Sequence, residues 1–431
     1  MFLTLMIMLV LGYPVAFTLG AVALLYGSIF LGVDFFNLLP LQIWGVMTNF
    51  TLLAVPLFIL MGIILDKSGL AEDLLETMGL LFGRIRGGLA ISVVLVGALL
   101  AATTGVVGAT VVTMGVIALP TMLKRNYSPQ LASGTIAAAG TLGQIIPPSI
   151  ILILLGDVIG VPVGRLFIGA VVPGVLLISL FLIYISVYSW MNPEVGPALT
   201  KIEGDDGLIS KIIFTLFPPL LLVIGVLGSI FFGIASPTES AAIGAIGAML
   251  LAAAHKRLSL QNLQEAMQQT TRLTSMVFLI LIGATAFGLV FRGMGGASLV
   301  SELMLNLPGG AWGFLAVSMA LIFALGFFLD FLQICFIVVP ILQPIASQLN
   351  IDLLWLAVLI GINLQTSFLT PPFGFSLFYL KAVAPPEIKI QHIYKGILPF
   401  VIIQIFVIVI LLMFPQTVLW LPDLMDKWNG L

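Results

Sequence analysis

Residues 143–152 read GQIIPPSIIL, and residues 366–374 read TSFLTPPFG. Each stretch places two adjacent prolines inside a segment that is otherwise apolar enough to be a membrane helix. The second proline of a pair has no N–H to donate, and the first forces the residue before it out of helical geometry. A helix must therefore end and restart at residues 147–148, and again at residues 371–372.

The composition is typical of a polytopic membrane protein. Of the 431 residues, 61% are hydrophobic and 8% are charged, whereas soluble domains carry about 25% charged residues. Uncharged stretches such as 88–122 and 398–414 suit a bilayer core, which requires about 20 apolar residues per helix. Both histidines lie in polar connectors and Cys335 stands alone, so a transition-metal site and an intramolecular disulfide are not expected. The predicted fold class is all-α.

The two halves of the chain echo each other at a nearly constant offset. Such self-similarity at a fixed spacing indicates internal duplication. We predict a first repeat over 1–191, a polar connector over 192–210 and a second repeat over 211–431. The matching pairs are Pro14 with Pro237, Leu60-Met61-Gly62 with Leu281-Ile282-Gly283, Gly87-Gly88 with Gly309-Gly310, Leu119-Pro120 with Val339-Pro340, and Pro147-Pro148 with Pro371-Pro372.

Each half contains an apolar stretch of intermediate length, at about 88–122 and at about 311–346. About 35 residues are too many for one crossing and too few for two, so both stretches are predicted to be re-entrant helical hairpins. A helix broken at its proline pair follows each hairpin, over 128–156 and 353–380. An odd number of crossings separates the hairpins, which predicts that they open to opposite faces and that the repeats are inverted.

Three further segments are amphipathic, which is typical of helices that lie along the membrane interface. They are residues 70–86, 258–270 and 296–307.

Basic residues are unevenly distributed between the two faces of this arrangement. Of the 16 lysines and arginines, all but Arg165, Arg292 and Lys427 fall on one face. The positive-inside rule places the rich face in the cytoplasm. The first hairpin is then predicted to open to the cytoplasm and the second to the periplasm. Arg165 and Arg292 are expected either to anchor the chain at the interface or to meet an acidic partner surface.

The breaks and the hairpin tips supply the candidate binding residues. A freed backbone group costs several kcal/mol in hydrocarbon, so a break is stable only inside protein or beside a wet cavity. Matching breaks in two halves point to a transporter site near the midplane. The alternative is that each proline pair only kinks a packed helix.

Hydroxyl, amide and carbonyl oxygens at these places suit an alkali cation, and half-helix N-termini attract an anionic group. The candidate residues are Thr103, Thr104, Gly105, Gly108 and Thr110 at the first tip; Gly143, Gln144, Pro147, Pro148 and Ser149 at the first break; Gly326, Asp330 and Gln333 at the second tip; and Thr366, Ser367, Thr370, Pro371, Pro372 and Gly374 at the second break.

Two acidic residues require separate interpretation. Asp330 lies within the apolar stretch GFFLDFLQICFIVV at 326–339, and an intramembrane carboxylate is a functional candidate by default; a structural capping role is the alternative. Glu239 follows Pro237 in SPTESAA at 236–242. This pattern favours a helix start with Ser236 as the N-cap.

Four motifs resemble those of the large membrane subunit of tripartite ATP-independent periplasmic (TRAP) transporters. They span both halves of the chain: GYPVAFTLGAVALL at 12–25, GTLGQIIPPSIILI at 140–153, SPTESAAIGA at 236–245 and TPPFGFSLFYLK at 370–381. The resemblance implies a multi-pass elevator transporter of the bacterial inner membrane, coupled to sodium and needing no other cofactor. It places binding at residues 103–110, 143–149, 326–333 and 366–374.

The resemblance also implies a carboxylate-bearing substrate, such as a C4-dicarboxylate, sialic acid or another sugar acid. The implied partners are a small four-helix membrane subunit, a periplasmic substrate-binding protein and the lipid bilayer that surrounds the permease. No nucleic-acid partner is implied. In this reading the hairpins and breaks move as one block against a scaffold made from 15–31, 51–65, 164–190 and their second-half counterparts.

Other functions stay open at this point. A stand-alone sodium/dicarboxylate symporter would need no binding protein, and proton coupling would use Asp330 or Glu239. A passive channel can also be lined by broken helices. An intramembrane enzyme needs clustered catalytic groups, and Asp330 has no evident catalytic companion, so the chain is not expected to be an enzyme.

Overall fold

The computed structural model describes residues 1–105, 107–198 and 208–428, and the described residues form helices with no strand. The prediction of an all-α polytopic membrane protein is confirmed. The predicted connector at 192–210 lies partly outside the described residues. The first half contains α1 Phe2–Val10, α2 Val15–Phe30, α3 Leu39–Met47, α4 Ala54–Lys67, α5 Leu70–Phe82, α6 Gly88–Thr104, α7 Val107–Lys124, α8 Pro129–Thr141, α9 Ile150–Ile159 and α10 Val163–Met191.

The second half is also built from helices of varied length. It contains α11 Leu208–Phe231, α12 Pro237–Ala254, α13 Leu260–Gly293, α14 Gly296–Leu305, α15 Ala311–Leu325, α16 Phe331–Gln333, α17 Val339–Gln348, α18 Leu353–Leu369, α19 Phe375–Val383, α20 Ile390–Met413 and α21 Gln416–Trp428. A π-helical turn at Ile334–Val338 joins α16 to α17. Among the described residues, seven helices are long and apolar enough to cross a membrane, or eight if the bent α3–α4 pair forms one span.

Polar residues start several helices, as the sequence predicts. Ser236 accepts a hydrogen bond from the Glu239 N–H at 3.3 Å, and the Glu239 carboxylate accepts one from the Ser236 N–H at 2.8 Å. This is a capping box, which satisfies two free N–H groups at once. The structural interpretation of Glu239 is thereby supported by geometry.

Helices α6 and α7 form a hairpin whose two ends lie side by side. The hydroxyl of Tyr127, just beyond α7, accepts a hydrogen bond from the Leu89 N–H in the first turn of α6 at 3.2 Å. The chain turns at Gly105, which has a φ of +60°. The second hairpin pairs α15 with the helix over 331–348, and its turn occupies residues 326–330.

The helices divide into two bodies. We call α2, α4, α11, α12 and α13 the outer body. Glycines allow these helices to approach closely: a Cβ at Gly283 of α13 would lie 2.7 Å from the Ala16 carbonyl oxygen of α2, and one at Gly244 of α12 would lie 2.7 Å from the sulfur of Met61 in α4. We call the hairpins, the broken helices, α10 and α20 the inner block.

Helices α10 and α20 pack on the broken helices. The rings of Phe181 in α10 and Phe400 in α20 meet edge to face, with centroids 5.0 Å apart. The indole N–H of Trp355 in α18 donates to the Leu411 carbonyl of α20 at 2.8 Å. Helix α10 thus contacts the broken helices, which favours a different grouping from the predicted scaffold of residues 15–31, 51–65 and 164–190.

Helix α13 runs unbroken for 34 residues. From the sequence, an interfacial piece at 258–270 and a separate span at 272–292 are expected here. That division is wrong because no proline or left-handed glycine interrupts residues 260–293, so the polar first turns continue directly into the apolar span.

Two polar contacts join the outer body to the inner block at opposite ends of α4. The amide of Asn49, just before α4, donates to the carboxylate of Asp157 at the end of α9. The hydroxyl of Thr113 in α7 donates to Asp66 in the last turn of α4 at 3.1 Å.

Arg165 has acidic partners within this chain. Its guanidinium lies 3.0 Å from the carboxylate of Asp426 and 3.7 Å from that of Asp423, both in α21. These contacts hold the C-terminal helix α21 against the start of α10.

Candidate binding site at two helix breaks

The first break is a buried turn between α8 and α9. After α8 ends, residues 142–144 form a 3₁₀ turn and the Pro147–Pro148 peptide bond is cis. Ser149 donates its hydroxyl hydrogen to the Gln144 carbonyl at 3.0 Å and caps the N-terminus of α9 by accepting from the Leu152 N–H at 3.5 Å. A single serine thus binds both sides of the interruption.

The second break lies between α18 and α19 and is more open. The Pro371–Pro372 peptide bond is also cis. The Thr370 hydroxyl donates to the Thr366 carbonyl at 2.7 Å, and the hydroxyl of Tyr394 in α20 donates to the Pro372 carbonyl at 3.0 Å. Pro372 and Phe373 are exposed. Tyr394 therefore satisfies a carbonyl that the break removes from the helix.

The first hairpin tip lies on the first break. A Cβ at Gly105 would lie 3.0 Å from the Ile150 side chain and 3.4 Å from its backbone nitrogen, and one at Gly143 would lie 3.1 Å from the Ala101 carbonyl oxygen. Thr110 is buried. The side chains of Thr103 and Thr104 lie outside what the structure describes.

The second hairpin tip lies on the second broken helix. A Cβ at Gly326 would collide with the hydroxyl of Ser367. The amide of Asn363 donates to the Met319 carbonyl of α15 at 2.7 Å. Asp330 accepts from the Phe331 N–H at 2.8 Å, so its carboxylate caps the returning helix. Gln333 is buried in the first turn after this cap.

The two breaks also touch each other. The amide nitrogen of Gln365 in α18 donates to the hydroxyl of Thr141 in α8 at 3.4 Å. Both side chains are fully buried. The predicted breaks and tips are therefore brought together in the inner block.

Tyr379 of α19 lies between the two tips. Its ring would be 3.2 Å from a Cβ at Gly108 of the first tip. Tyr379 and Tyr394 are not among the predicted site residues, because neither adjoins one of the two proline pairs. The only sequence signal that could have indicated Tyr379 is its position: it is an aromatic residue with a hydroxyl, about two helical turns after Pro372.

Several buried polar atoms in this region have no hydrogen-bond partner among the described residues. They are Nε2 and Oε1 of Gln144, Oε1 of Gln333, Oε1 of Gln365, and the hydroxyl oxygens of Ser318 and Ser376. Leaving such an atom unpaired costs about 1–3 kcal/mol. The oxygens among them are hard donors, which suit an alkali cation; no group of three or more His, Cys, Asp or Glu side chains that could hold a transition metal occurs among the described residues.

The chain matches known proteins over nearly its full length. The family model of the DctM component of tripartite ATP-independent periplasmic transporters matches residues 2–417. The chain is 31% identical, over 396 residues, to the C4-dicarboxylate TRAP transporter large permease protein DctM of Pseudomonas aeruginosa, covering 91% of this chain and 90% of that protein. It is 29% identical, over 414 residues, to the sialic acid TRAP transporter large permease protein SiaM of Vibrio cholerae, covering 96% and 95%.

A solved structure has a similar fold. The YdaH transporter of Alcanivorax borkumensis aligns with a TM-score of 0.64 at 15% sequence identity, covering 99% of this chain and 98% of that one. At this identity the likeness concerns the fold alone. The match to the family over residues 2–417 decides the identity: this chain belongs to the DctM family, the large permease components of TRAP transporters, and is a transport protein rather than an enzyme.

Proposed function

We propose that this chain imports a carboxylate-bearing organic anion by sodium-coupled secondary transport, with the substrate delivered by a periplasmic binding protein. The two relatives described above are named for C4-dicarboxylates and for sialic acid, and both of these substrates carry carboxylates. The observation that carries the proposal is the hydrogen bond between Gln365 and Thr141, which joins the two breaks into one buried polar centre.

Sodium is held in this proposal by oxygen atoms at each tip and its neighbouring break. The hydroxyls of Ser367 and Thr370 donate their hydrogens to helix carbonyls at 2.8 and 2.7 Å. A hydroxyl that donates in this way keeps its oxygen lone pairs for a cation. Gln144 and Gln365 add buried amide oxygens without partners among the described residues. Asp330 supplies the negative charge nearest the second tip.

The substrate anion occupies the space between the tips, beside Tyr379. Bound sodium ions offset its charge, so the loaded block carries little net charge across the membrane. Moving an uncompensated charge through hydrocarbon costs several kcal/mol or more. In this proposal, transport therefore requires both the cation and the carboxylate.

The inner block moves in this proposal as one body against the outer body, which is the elevator mechanism. The contacts of α10 with α9 and α18, and the hydrogen bond from α18 to α20, support a block that includes both long helices. The repeats are inverted, the first hairpin opens to the cytoplasm and the second to the periplasm of a bacterial inner-membrane protein. The uneven distribution of lysine and arginine supports this orientation.

The partners in this proposal are a small four-helix membrane subunit and the periplasmic binding protein. Membership in a family named as one component of a tripartite transporter supports both.

Uptake into proteoliposomes tests the proposal. The vesicles contain this chain with its small subunit, a labelled dicarboxylate or sialic acid is added outside, and an inward sodium gradient is imposed with or without the binding protein. We expect accumulation only when sodium and the binding protein are both present. Uptake by this chain alone, indifferent to a binding protein, would instead support a stand-alone symporter. Uptake driven by a proton gradient without sodium would reject the sodium sites.

A further inference from the structure

A long crevice of about 690 Å³ separates the outer body from the inner block, away from the breaks. One wall is formed by α13 from Leu281 to Arg292 and by the first turns of α14. The other wall is formed by the returning helix of the second hairpin, from Phe336 to Gln348. The volume lies within the range of about 300–1,000 Å³ that small-molecule sites occupy.

Arg292 is the cation of this crevice. Its guanidinium folds back over Gly288, where a Cβ would lie 3.4 Å from Nη1. No hydrogen bond or ion pair joins Arg292 to another residue in the described ranges, whereas Arg165 is paired with two aspartates. An unpaired guanidinium beside a cavity is suited to bind a phosphate or carboxylate through paired N–H groups.

The crevice changes character along its length. Polar side chains of Ser298, Ser301 and Gln348 line it beside Arg292, whereas Leu281, Phe336 and Ile337 line the deep end. Leu281 precedes Arg292 by about 16 Å along the helix axis. One leaflet of a bilayer has a hydrocarbon thickness of about 15 Å, half of the full core.

We infer that this crevice binds one phospholipid molecule, with its phosphate on Arg292 and an acyl chain along the apolar walls towards the membrane centre. A soluble anion could bind to Arg292. It would not fill the apolar part of the crevice, which is about as long as one bilayer leaflet is thick. A phospholipid has a phosphate for Arg292 and acyl chains for the apolar end. It is also abundant in the bilayer that surrounds the crevice. A guanidinium binds the phosphate of a head group through two parallel N–H groups, as it binds other phosphates.

The lipid would touch both bodies, since α13 belongs to the outer body and the wall from Phe336 to Gln348 belongs to the inner block. A movement of the block changes the shape of such a site, so lipid binding would favour the position described here. This consequence for transport rests on the proposed function, whereas the binding itself does not.

Native mass spectrometry of the purified full chain tests the binding directly. The protein in detergent is titrated with palmitoyl-oleoyl phosphatidylglycerol, with the matching diacylglycerol that lacks a phosphate, and with inorganic phosphate. Two variants change the crevice in different ways: Arg292→Gln removes the charge, and Gly288→Leu fills the space but keeps the charge. Lys427→Gln is the control, because it removes one positive charge from α21, away from the crevice.

We expect one tightly retained phosphatidylglycerol on the wild-type protein and on Lys427→Gln. Its affinity falls about fivefold in Arg292→Gln, the effect of one arginine at a membrane surface, and by at least as much in Gly288→Leu. Thermal unfolding of each variant establishes that it is folded, and Arg292→Lys should restore part of the affinity. Diacylglycerol, which has no phosphate, should bind the wild-type protein no more tightly than it binds Arg292→Gln.

Three results would overturn the inference. Equal phosphatidylglycerol binding by all variants excludes the crevice as the site. Displacement of the lipid by inorganic phosphate at millimolar concentration indicates a soluble-anion site instead. Loss of binding in Gly288→Leu without loss in Arg292→Gln shows that Arg292 does not hold the head group. Because uptake is not measured, failure of the proposed transport function would leave this test unaffected.

Discussion

The side chains of Thr141 and Gln365 are hydrogen-bonded to each other although they are 224 residues apart. Pro147 and Pro371 have the same separation in the sequence. If the two halves are duplicates, Thr141 and Gln365 are equivalent positions, and equivalent positions can touch only where the axis relating the halves passes between them. The proposed inverted repeats therefore share their axis with the candidate binding site.

Replacing Gln365 with leucine should weaken sodium binding while it leaves the stability of the fold almost unchanged. Oε1 of Gln365 is buried without a partner among the described residues, and the hydrogen bond to Thr141 is long. We expect the free energy of unfolding to change by less than about 1 kcal/mol. The sodium concentration for half-maximal uptake should rise at least about tenfold, which corresponds to about 1.4 kcal/mol.

Asn363→Leu is the matched control for Gln365→Leu. It removes a buried hydrogen bond of 2.7 Å to the Met319 carbonyl, so we expect a loss of about 1 kcal/mol of stability by thermal unfolding. Its sodium dependence should stay closer to that of the wild type. Unchanged sodium dependence in Gln365→Leu would contradict a role for the break-to-break contact in ion binding.

Alanine at Gly105 should damage the first hairpin tip. Its φ of +60° disfavours a side chain, at a cost of about 1–2 kcal/mol, and the new Cβ would press on Ile150. Gly160→Ala has a similar φ of +80° but no atom within 4 Å of its Cβ. Both variants should lose stability in thermal unfolding, and only Gly105→Ala should also lose sodium-dependent uptake. Equal uptake by the two variants would show that the tip tolerates displacement.

Substitutions at Asp330 distinguish a cap from a functional charge. In Asp330→Asn, the side-chain oxygen can still accept from the Phe331 N–H, so the fold should keep its stability while uptake falls at least about tenfold. Asp330→Ala removes the cap as well and should lose about a further 1 kcal/mol of stability. Sodium titrations of uptake, with thermal unfolding in parallel, give both quantities. Normal sodium-dependent transport by Asp330→Asn would leave Asp330 with only a structural role.

Gly134 and Gly396 mark the closest approach of α8 and α20. A Cβ at Gly134 would collide with the Gly396 carbonyl oxygen, so Gly134→Ala must force two buried helices apart. We expect a loss of about 1–3 kcal/mol, as for other overpacked cores. Gly225→Ala in α11 has no atom within 4 Å and should gain up to about 1 kcal/mol from better helix propensity. Thermal unfolding in one detergent compares the two directly, and a Gly134→Ala variant as stable as Gly225→Ala would contradict this packing.

The sequence predicts the breaks well because proline acts locally. Pro147-Pro148 and Pro371-Pro372 lie where their helices end, and Ser236 with Glu239 defines a helix start within four residues. A proline pair alone does not decide a break, because Pro218-Pro219 lies inside the continuous helix α11. Hairpin lengths were also readable, because the bilayer thickness limits what an apolar stretch of given length can do.

The remaining features depend on contacts between distant parts of the chain. Tyr394 reaches a carbonyl 22 residues away, and Tyr379 meets Gly108 from the other half of the sequence. The placement of α10 with the breaks depends on which apolar face packs where, which hydropathy does not determine. The continuity of α13 was missed because a change from polar to apolar residues suggested a boundary that no breaker supports.

The hydrogen bonds of Asn49 with Asp157 and of Thr113 with Asp66 have a mechanical consequence. They fasten the block near both ends of α4, a helix about 21 Å long. A slide of one helical turn, about 5.4 Å, pulls both pairs out of reach together, and neither can be kept while the other is given up. In the proposed elevator mechanism, the block would therefore leave the position described here only by breaking both hydrogen bonds at once.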